Sequence, residues 1–156
     1  HVLEQIGAGD DDVALLMLRF EGVPAVMDVS IPANPEAIGP FRRRLQRWLA
    51  ERGVDEADSY DAVLAVNEAC SNAVEHGYRG ADGAVRIRIE HAHDALEALV
   101  EDEGRWRPPD PVSCRGRGVS IMEAVMDDVE IAPRGTGTRV VLRLALGVRQ
   151  AAGASG

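Results

Sequence analysis

The spacing of apolar positions changes several times along the chain, and each change marks an element. After Gly9, Asp10, Asp11 and Asp12, the run Val13 to Phe20 is short and nearly continuously apolar, which predicts a turn feeding a buried strand. Glu21 to Pro24 breaks that run. From Val26 to Ile31 apolar and polar residues alternate, with Val29 and Ile31 on one face and Asp28 and Ser30 on the other, the period of a half-buried strand. Past Pro32 the period lengthens. Ile38, Phe41, Leu45, Trp48 and Leu49 recur at helical spacing, with Asn34 placed as N-cap, Pro35 at the first helical position and Gly53 as the stop. A second helix is predicted to open near Asp58 or Ser59 and to carry Val63, Val66, Cys70, Ala73 and Val74 inward as far as Gly77.

Alternation returns after a turn at Arg79 to Gly83. Val85, Ile87 and Ile89 face one way and Arg86, Arg88 and Glu90 the other, and Leu96 to Val100 forms a further strand. Glu103 to Arg117 holds glycines, prolines and few apolar residues, so it reads as a long loop of the kind that is usually functional or mobile. A third helix runs from Gly118 through Ile121, Met122 and Val125, followed by strands at Val129–Ala132 and Thr138–Leu146 and a linker-like tail from Gly147 to Gly156. The order β-α-α-β-β-loop-α-β-β predicts an α+β two-layer sandwich, with helices on one face of a mostly antiparallel mixed sheet.

Composition narrows what such a fold can do. The chain has 156 residues, the size of one domain, and only 4% are aromatic, which leaves the core to Ala, Val, Leu and Ile. Every one of its 17 basic residues is arginine. A P-loop, a eukaryotic-type protein kinase and Schiff-base chemistry all need a lysine, so all three are excluded. Twenty-six acidic residues give a net charge of -9, which argues against nucleic acid and anionic membrane as partners and for a protein or small molecule. No apolar run approaches the roughly 18 residues of a membrane span, and no signal peptide precedes the first element. Cys70 and Cys114 are isolated, without a zinc-binding spacing, and read as reduced thiols of a cytoplasmic protein. A first residue of His suggests a piece of a longer chain.

Four segments carry candidate chemistry. Glu68, Asn72 and His76 are spaced i, i+4, i+8 and form one polar stripe beside the apolar one; a carboxylate and a carboxamide one turn apart suit a proton acceptor and a neutral oxygen ligand for Mg²⁺, or else a solvated helix face. Asp102, at a strand's end and followed by Gly104, can accept a hydrogen bond from an exocyclic amine such as adenine's, or belong to a simple turn. Arg115, Gly116, Arg117, Gly118 and Val119 lead into a helix N-terminus, where free N–H groups can cradle a phosphate or merely let the chain enter the helix. Gly135 to Val140 places the Thr138 hydroxyl at a turn into the last strand, either facing the same pocket or closing a hairpin.

Taken in this order and at these separations, the segments resemble the ATP-binding domain of the GHKL superfamily, and within it most of all the bacterial anti-sigma-factor serine kinases. The likeness covers about residues 26–146. Glu68 to Tyr78 resembles the N-box, Val100 to Gly104 the first glycine box, Gly116 to Gly118 the second, and Gly137-Thr138 the end of the adenine pocket; the run Gly118 to Val129 is also typical of the anti-sigma kinases. The resemblance implies a GHKL (Bergerat-type) fold binding ATP and Mg²⁺, with Glu68 as general base and Asn72 as the Mg²⁺ ligand. It assigns the adenine amine to Asp102, supported by Thr138 through a water, close packing to Gly104, and the phosphates to Gly116, Gly118, the Val119 backbone and Arg115 or Arg117. Two positions depart from the pattern: Trp106 replaces a second glycine, and Cys114 stands about where some relatives carry a lid arginine.

Residues 1–25, with Gly9 to Arg19 and Asp11 as metal ligand, resemble the end of a PP2C-type sigma-regulating phosphatase, a remnant of an attached phosphatase domain in the parent chain. Residues 147–156 are left as tail. The function implied is that of a serine-protein kinase that phosphorylates a STAS-type anti-sigma-factor antagonist and sequesters a sigma factor, with homodimerisation common among relatives. The competing readings are a regulatory ATP-binding module without kinase activity and a histidine kinase, the latter disfavoured because no phosphoacceptor helix precedes residue 26. His91 and His93 read as surface residues. Arg42, Arg43 and Arg44 read as a solvated face or a contact for an acidic partner.

Overall fold

A computed structural model describes residues 25–78, 82–104 and 117–147. The strand expected at 13–20, most of the long loop and the tail lie outside the described residues, as do Asp11, Trp106, Cys114, Arg115 and Gly116. Five strands form one sheet in the order β1-β2-β3-β5-β4: β1 (Ala25–Pro32), β2 (Ala84–Ala92), β3 (Ala95–Glu101), β4 (Asp128–Arg134) and β5 (Gly137–Ala145). All four neighbouring pairs are antiparallel. Helices α1 (Pro35–Ala50), α2 (Glu56–Asn72) and α3 (Arg117–Val125) pack on one face, the two-layer α+β architecture that the order of elements predicts.

The alternation in the strands decides which face that is. Val85, Ile87 and Ile89 of β2, Leu96, Ala98 and Val100 of β3, and Val140, Leu142 and Leu144 of β5 are buried against Phe41, Leu45 and Leu49 of α1 and Val66 and Cys70 of α2. Ala62, Ala65 and Ala69 bring α2 close to the sheet without bulk. The opposite face is a cross-strand ionic lattice. Arg143 of β5 pairs with Glu97 of β3 and Asp128 of β4, Arg88 of β2 with Asp28 of β1, and Arg134 with Glu101. Such a face is at home in water, so helices cover only the other.

Two details of the second helix differ from expectation. It opens at Glu56, earlier than the predicted Asp58 or Ser59, because Asp55 is the cap: its carboxylate accepts the N–H groups of Ala57 at 2.8 Å and Asp58 at 3.0 Å. Asp58 is instead buried and accepts the Gly147 N–H at 2.8 Å, tying the end of the sheet to the start of α2. At its other end the helix does not continue in α geometry to Gly77; Ala73–Tyr78 form a π turn.

Candidate active site

Glu68 and Asn72 sit one turn apart near the end of α2, both half-buried. They converge on the first turn of α3. A Cβ built on Gly118 would lie 3.0 Å from Glu68 Oε2 and 3.2 and 3.3 Å from Asn72 Nδ2 and Oδ1, so the absence of a side chain at Gly118 is what lets α3 begin against both groups. The N–H groups of that first turn carry the positive end of the helix dipole, and they lie beside a carboxylate and a neutral carboxamide. Val119 turns its side chain into the core, leaving its backbone as the part that a ligand could meet. His76, expected as the third member of the stripe, is exposed. The wider π turn takes it out of phase with Glu68 and Asn72.

The π turn carries the chain from this pair to Asp102. Its Gly77 packs backbone to backbone on Gly104: a Cβ on Gly104 would fall 2.3 to 2.4 Å from the carbonyl carbon, Cα and oxygen of Gly77, and one on Gly77 would fall 2.9 Å from Asp102 Oδ1. Asp102, just past β3, is 8% exposed. Its carboxylate accepts the Gly104 N–H at 2.8 Å, and its own N–H donates to the Thr138 carbonyl at 3.1 Å. Thr138 therefore touches Asp102 directly. Burial raises the Asp102 pKa, and the Gly104 N–H and the neighbouring Thr138 partly offset that rise. A carboxylate has about four acceptor sites, and the Gly104 N–H leaves room on it for a ligand's donor. Gly137, at φ +133° and with its Cβ position 2.0 Å from the Asp102 carbonyl oxygen, brings the β4–β5 hairpin onto the same point.

The structure thus gathers Glu68, Asn72 and Gly118 at one end of the π turn and Asp102, Gly104 and Thr138 at the other. Among the described residues no three His, Cys, Asp or Glu side chains cluster as a metal site, so a metal here would rely on Asn72 and on oxygens of its ligand, as Mg²⁺ does with phosphates. Cys70 is fully buried, and desolvation pushes its thiol up to about 12, which makes it packing and not a nucleophile. Sequence reasoning placed Gly77 and Tyr78 at a helix end within the N-box likeness and Gly83 in a turn, with no separate part for them in the site. The one signal available was a glycine-aromatic pair at a helix end.

A family profile described as "Histidine kinase-like ATPase domain" matches residues 31–144. The chain is similar to the serine-protein kinase RsbW of Bacillus pumilus, 31% identical over a 125-residue alignment, with 68% of this chain and 77% of that one covered. It is also similar to RsbW of Bacillus subtilis, 33% identical over a 122-residue alignment, with 67% of this chain and 76% of that one covered. Among solved structures it resembles the RsbU and RsbW domains of a Mycobacterium tuberculosis protein, with 30% identity and a TM-score of 0.65 over 78% of this chain; the chain spans only 32% of that one. A blue-light activated histidine kinase from Erythrobacter litoralis shares the fold, with 22% identity and a TM-score of 0.55 over 73% of this chain and 43% of that one.

Proposed function

We propose that this chain, which belongs to the histidine kinase-like ATPase family and within it to the RsbW serine-protein kinases, transfers the γ-phosphoryl group of ATP to a serine of an anti-sigma-factor antagonist. The observation that carries this reading is the convergence of Glu68 and Asn72 on Gly118, at the N-terminus of α3. It sets a proton acceptor and a metal-ligating oxygen beside backbone N–H groups suited to phosphate.

The residues fit ATP. A free acceptor site of Asp102 takes the adenine amine, Gly104 lets the ring approach the backbone, and the Thr138 carbonyl, which accepts the Asp102 N–H, holds the Asp102 backbone in place. Backbone N–H groups of Gly116, Gly118 and Val119, with Arg115, meet the phosphates. Asn72 holds Mg²⁺, which when bound neutralises charge on the phosphate oxygens. Glu68 accepts the serine hydroxyl proton as the oxygen attacks; the rest of the catalysis is positioning and electrostatics.

The partners we assign are a STAS-type antagonist as substrate and a sigma factor as the protein held between phosphorylation events, with the chain acting in the cytoplasm. A groove of about 560 Å³ between α1 and α2, lined by Arg42 and Arg43 against a single acidic residue, Glu56, and by the exposed Tyr60, supports an acidic protein surface as one contact. Residues 1–25 are read as the end of an attached phosphatase domain, a reading supported by a solved relative in which an RsbW domain shares its chain with another domain. Trp106, in place of a glycine, favours a second reading in which the domain binds ATP and regulates a partner without transfer.

One assay separates the two. With ATP, Mg²⁺ and the antagonist, the chain labels a serine, and Glu68→Ala lowers that rate by about 10²- to 10⁴-fold. The ATP Kd of that variant stays within about threefold of the parent. Labelling that is absent in the parent establishes the regulatory module, and labelling unchanged in the variant removes Glu68 as the base.

A further inference from the structure

The hydroxyl of Tyr78 lies where the ladder between β2 and β3 stops. That ladder runs from Ala92↔Ala95 to Arg86↔Glu101. Two residues further, the same register sets Ala84 opposite Glu103. In an antiparallel pair the bonding positions alternate, and the two-residue turn at His93 and Asp94 makes Ala92↔Ala95, and with it every second pair through Ala84 and Glu103, a position where the residues bond each other. One phenol takes both groups instead: the Tyr78 O–H donates to the Ala84 carbonyl at 2.7 Å, and its oxygen accepts the Glu103 N–H at 2.9 Å. The hydroxyl acts as a wedge that parts the strands without leaving either backbone group unpaired.

The wedge is seated from both sides. A Cβ on Gly83 would fall 1.9 Å from Tyr78 Cε1, so the ring lies flush on a glycine. Tyr78 is also the last residue of the π turn, next to the Gly77 that packs on Gly104. A single side chain therefore joins the π turn, the start of β2 and the turn Asp102–Gly104. We propose that Tyr78 is a positioning residue: by parting β2 from β3 at Glu103 it aims the neighbouring Asp102 carboxylate into the pocket, and so sets the preference for a purine with an exocyclic amine. The inference rests on the reading of Asp102 as acceptor of that amine.

The test compares ATP with purine riboside triphosphate, which lacks the 6-amino group. Tyr78→Phe keeps the ring and removes both hydrogen bonds. It is expected to weaken ATP binding by about tenfold and to leave purine riboside triphosphate unchanged, erasing most of the preference that Asp102→Ala erases. A residue that only stabilised the fold would weaken both nucleotides alike. Equal weakening of both, or none, in Tyr78→Phe while Asp102→Ala loses the preference overturns the wedge and leaves the adenine reading standing. A preference retained in Asp102→Ala overturns the adenine reading and the wedge with it. Should Tyr78→Phe fail to fold, 3,5-difluorotyrosine incorporated in a Tyr60→Phe background labels Tyr78 alone, since the chain has two tyrosines. Its phenol ionises well below tyrosine's usual value of about 10, so the O–H donor is lost on mild alkalinisation. The preference for ATP then falls as the label ionises and stays flat in unlabelled Tyr60→Phe; a flat profile in both overturns the proposal.

Discussion

Gly104 and Gly118 both stand where a side chain would intrude on the site, yet what each would strike differs in kind. At Gly104 the obstacle is the Gly77 backbone at 2.3 to 2.4 Å, which cannot rotate away. Gly104→Ala must push the π turn off the Asp102 turn, and it is expected to cost about 1–3 kcal/mol of stability and to weaken ATP binding with it. At Gly118 the obstacles are the ends of Glu68 and Asn72 at 3.0 to 3.3 Å, flexible groups that yield by a few tenths of an ångström. Gly118→Ala is therefore expected to stay within about 0.5 kcal/mol of the parent in urea unfolding, yet to lose phosphoryl transfer, because the displaced groups are the proposed base and metal ligand. Equal losses of stability in the two variants would show that the Glu68 and Asn72 contacts at Gly118 are structural.

At the scale of elements, what was legible followed from period and what was missed followed from local hydrogen bonding. The strands and the inward stripes of α1 and α2 were readable because burial imposes periods of two and of 3.6: Phe41, Leu45, Trp48 and Leu49 are all buried, as are Val63, Val66, Cys70, Ala73 and Val74. Glu68 and Asn72 could be placed together because i and i+4 share a helix face. His76 could not, since nothing in Ala73–Tyr78 announces a π turn; the geometry is fixed by Gly77 docking on Gly104 and by Tyr78 reaching Ala84 and Glu103, contacts that are distant in sequence. The start of α2 was misplaced because Asp55, Asp58 and Ser59 are all good caps, and burial of Asp58 decided between them. The π turn is in effect an α-helix with one residue inserted. Deleting the exposed Glu75 returns it to α phase and turns the following residues by about 100°. The expected result is retained helix content by circular dichroism with ATP binding weakened by more than about tenfold, since Gly77 and Tyr78 leave the Asp102 turn. Unchanged affinity would mean that the pocket does not depend on that turn.

The described residues form two layers, and Cys70 lies sealed between them at 0% exposure, so labelling its thiol requires the helices to part from the sheet. In a Cys114→Ser background it is the only cysteine. The rate of its alkylation then reports the fraction of molecules whose layers have opened, provided that opening and closing are fast relative to labelling. ATP binds across elements of both layers in the proposed site, α2 and α3 on one side and the ends of β3 and β5 on the other, so it stabilises the closed form. At 100 times its Kd that amounts to about 2.7 kcal/mol, and labelling is expected to slow by about 100-fold. The same thiol imposes a pH dependence of known sign. Its pKa rises from an ordinary 9.0 to about 12 on folding, so the folded state holds the proton more tightly. Stability is unaffected well below 9.0 and declines as the pH rises from there toward 12, by up to one proton's worth of slope. Cys70→Ala removes that slope, and urea unfolding of the two proteins at about pH 7 and pH 10 measures it. Alkylation that ATP leaves untouched, in a protein shown to bind ATP, would mean that Cys70 is reached by local opening of α2 and that the two layers do not part as a unit.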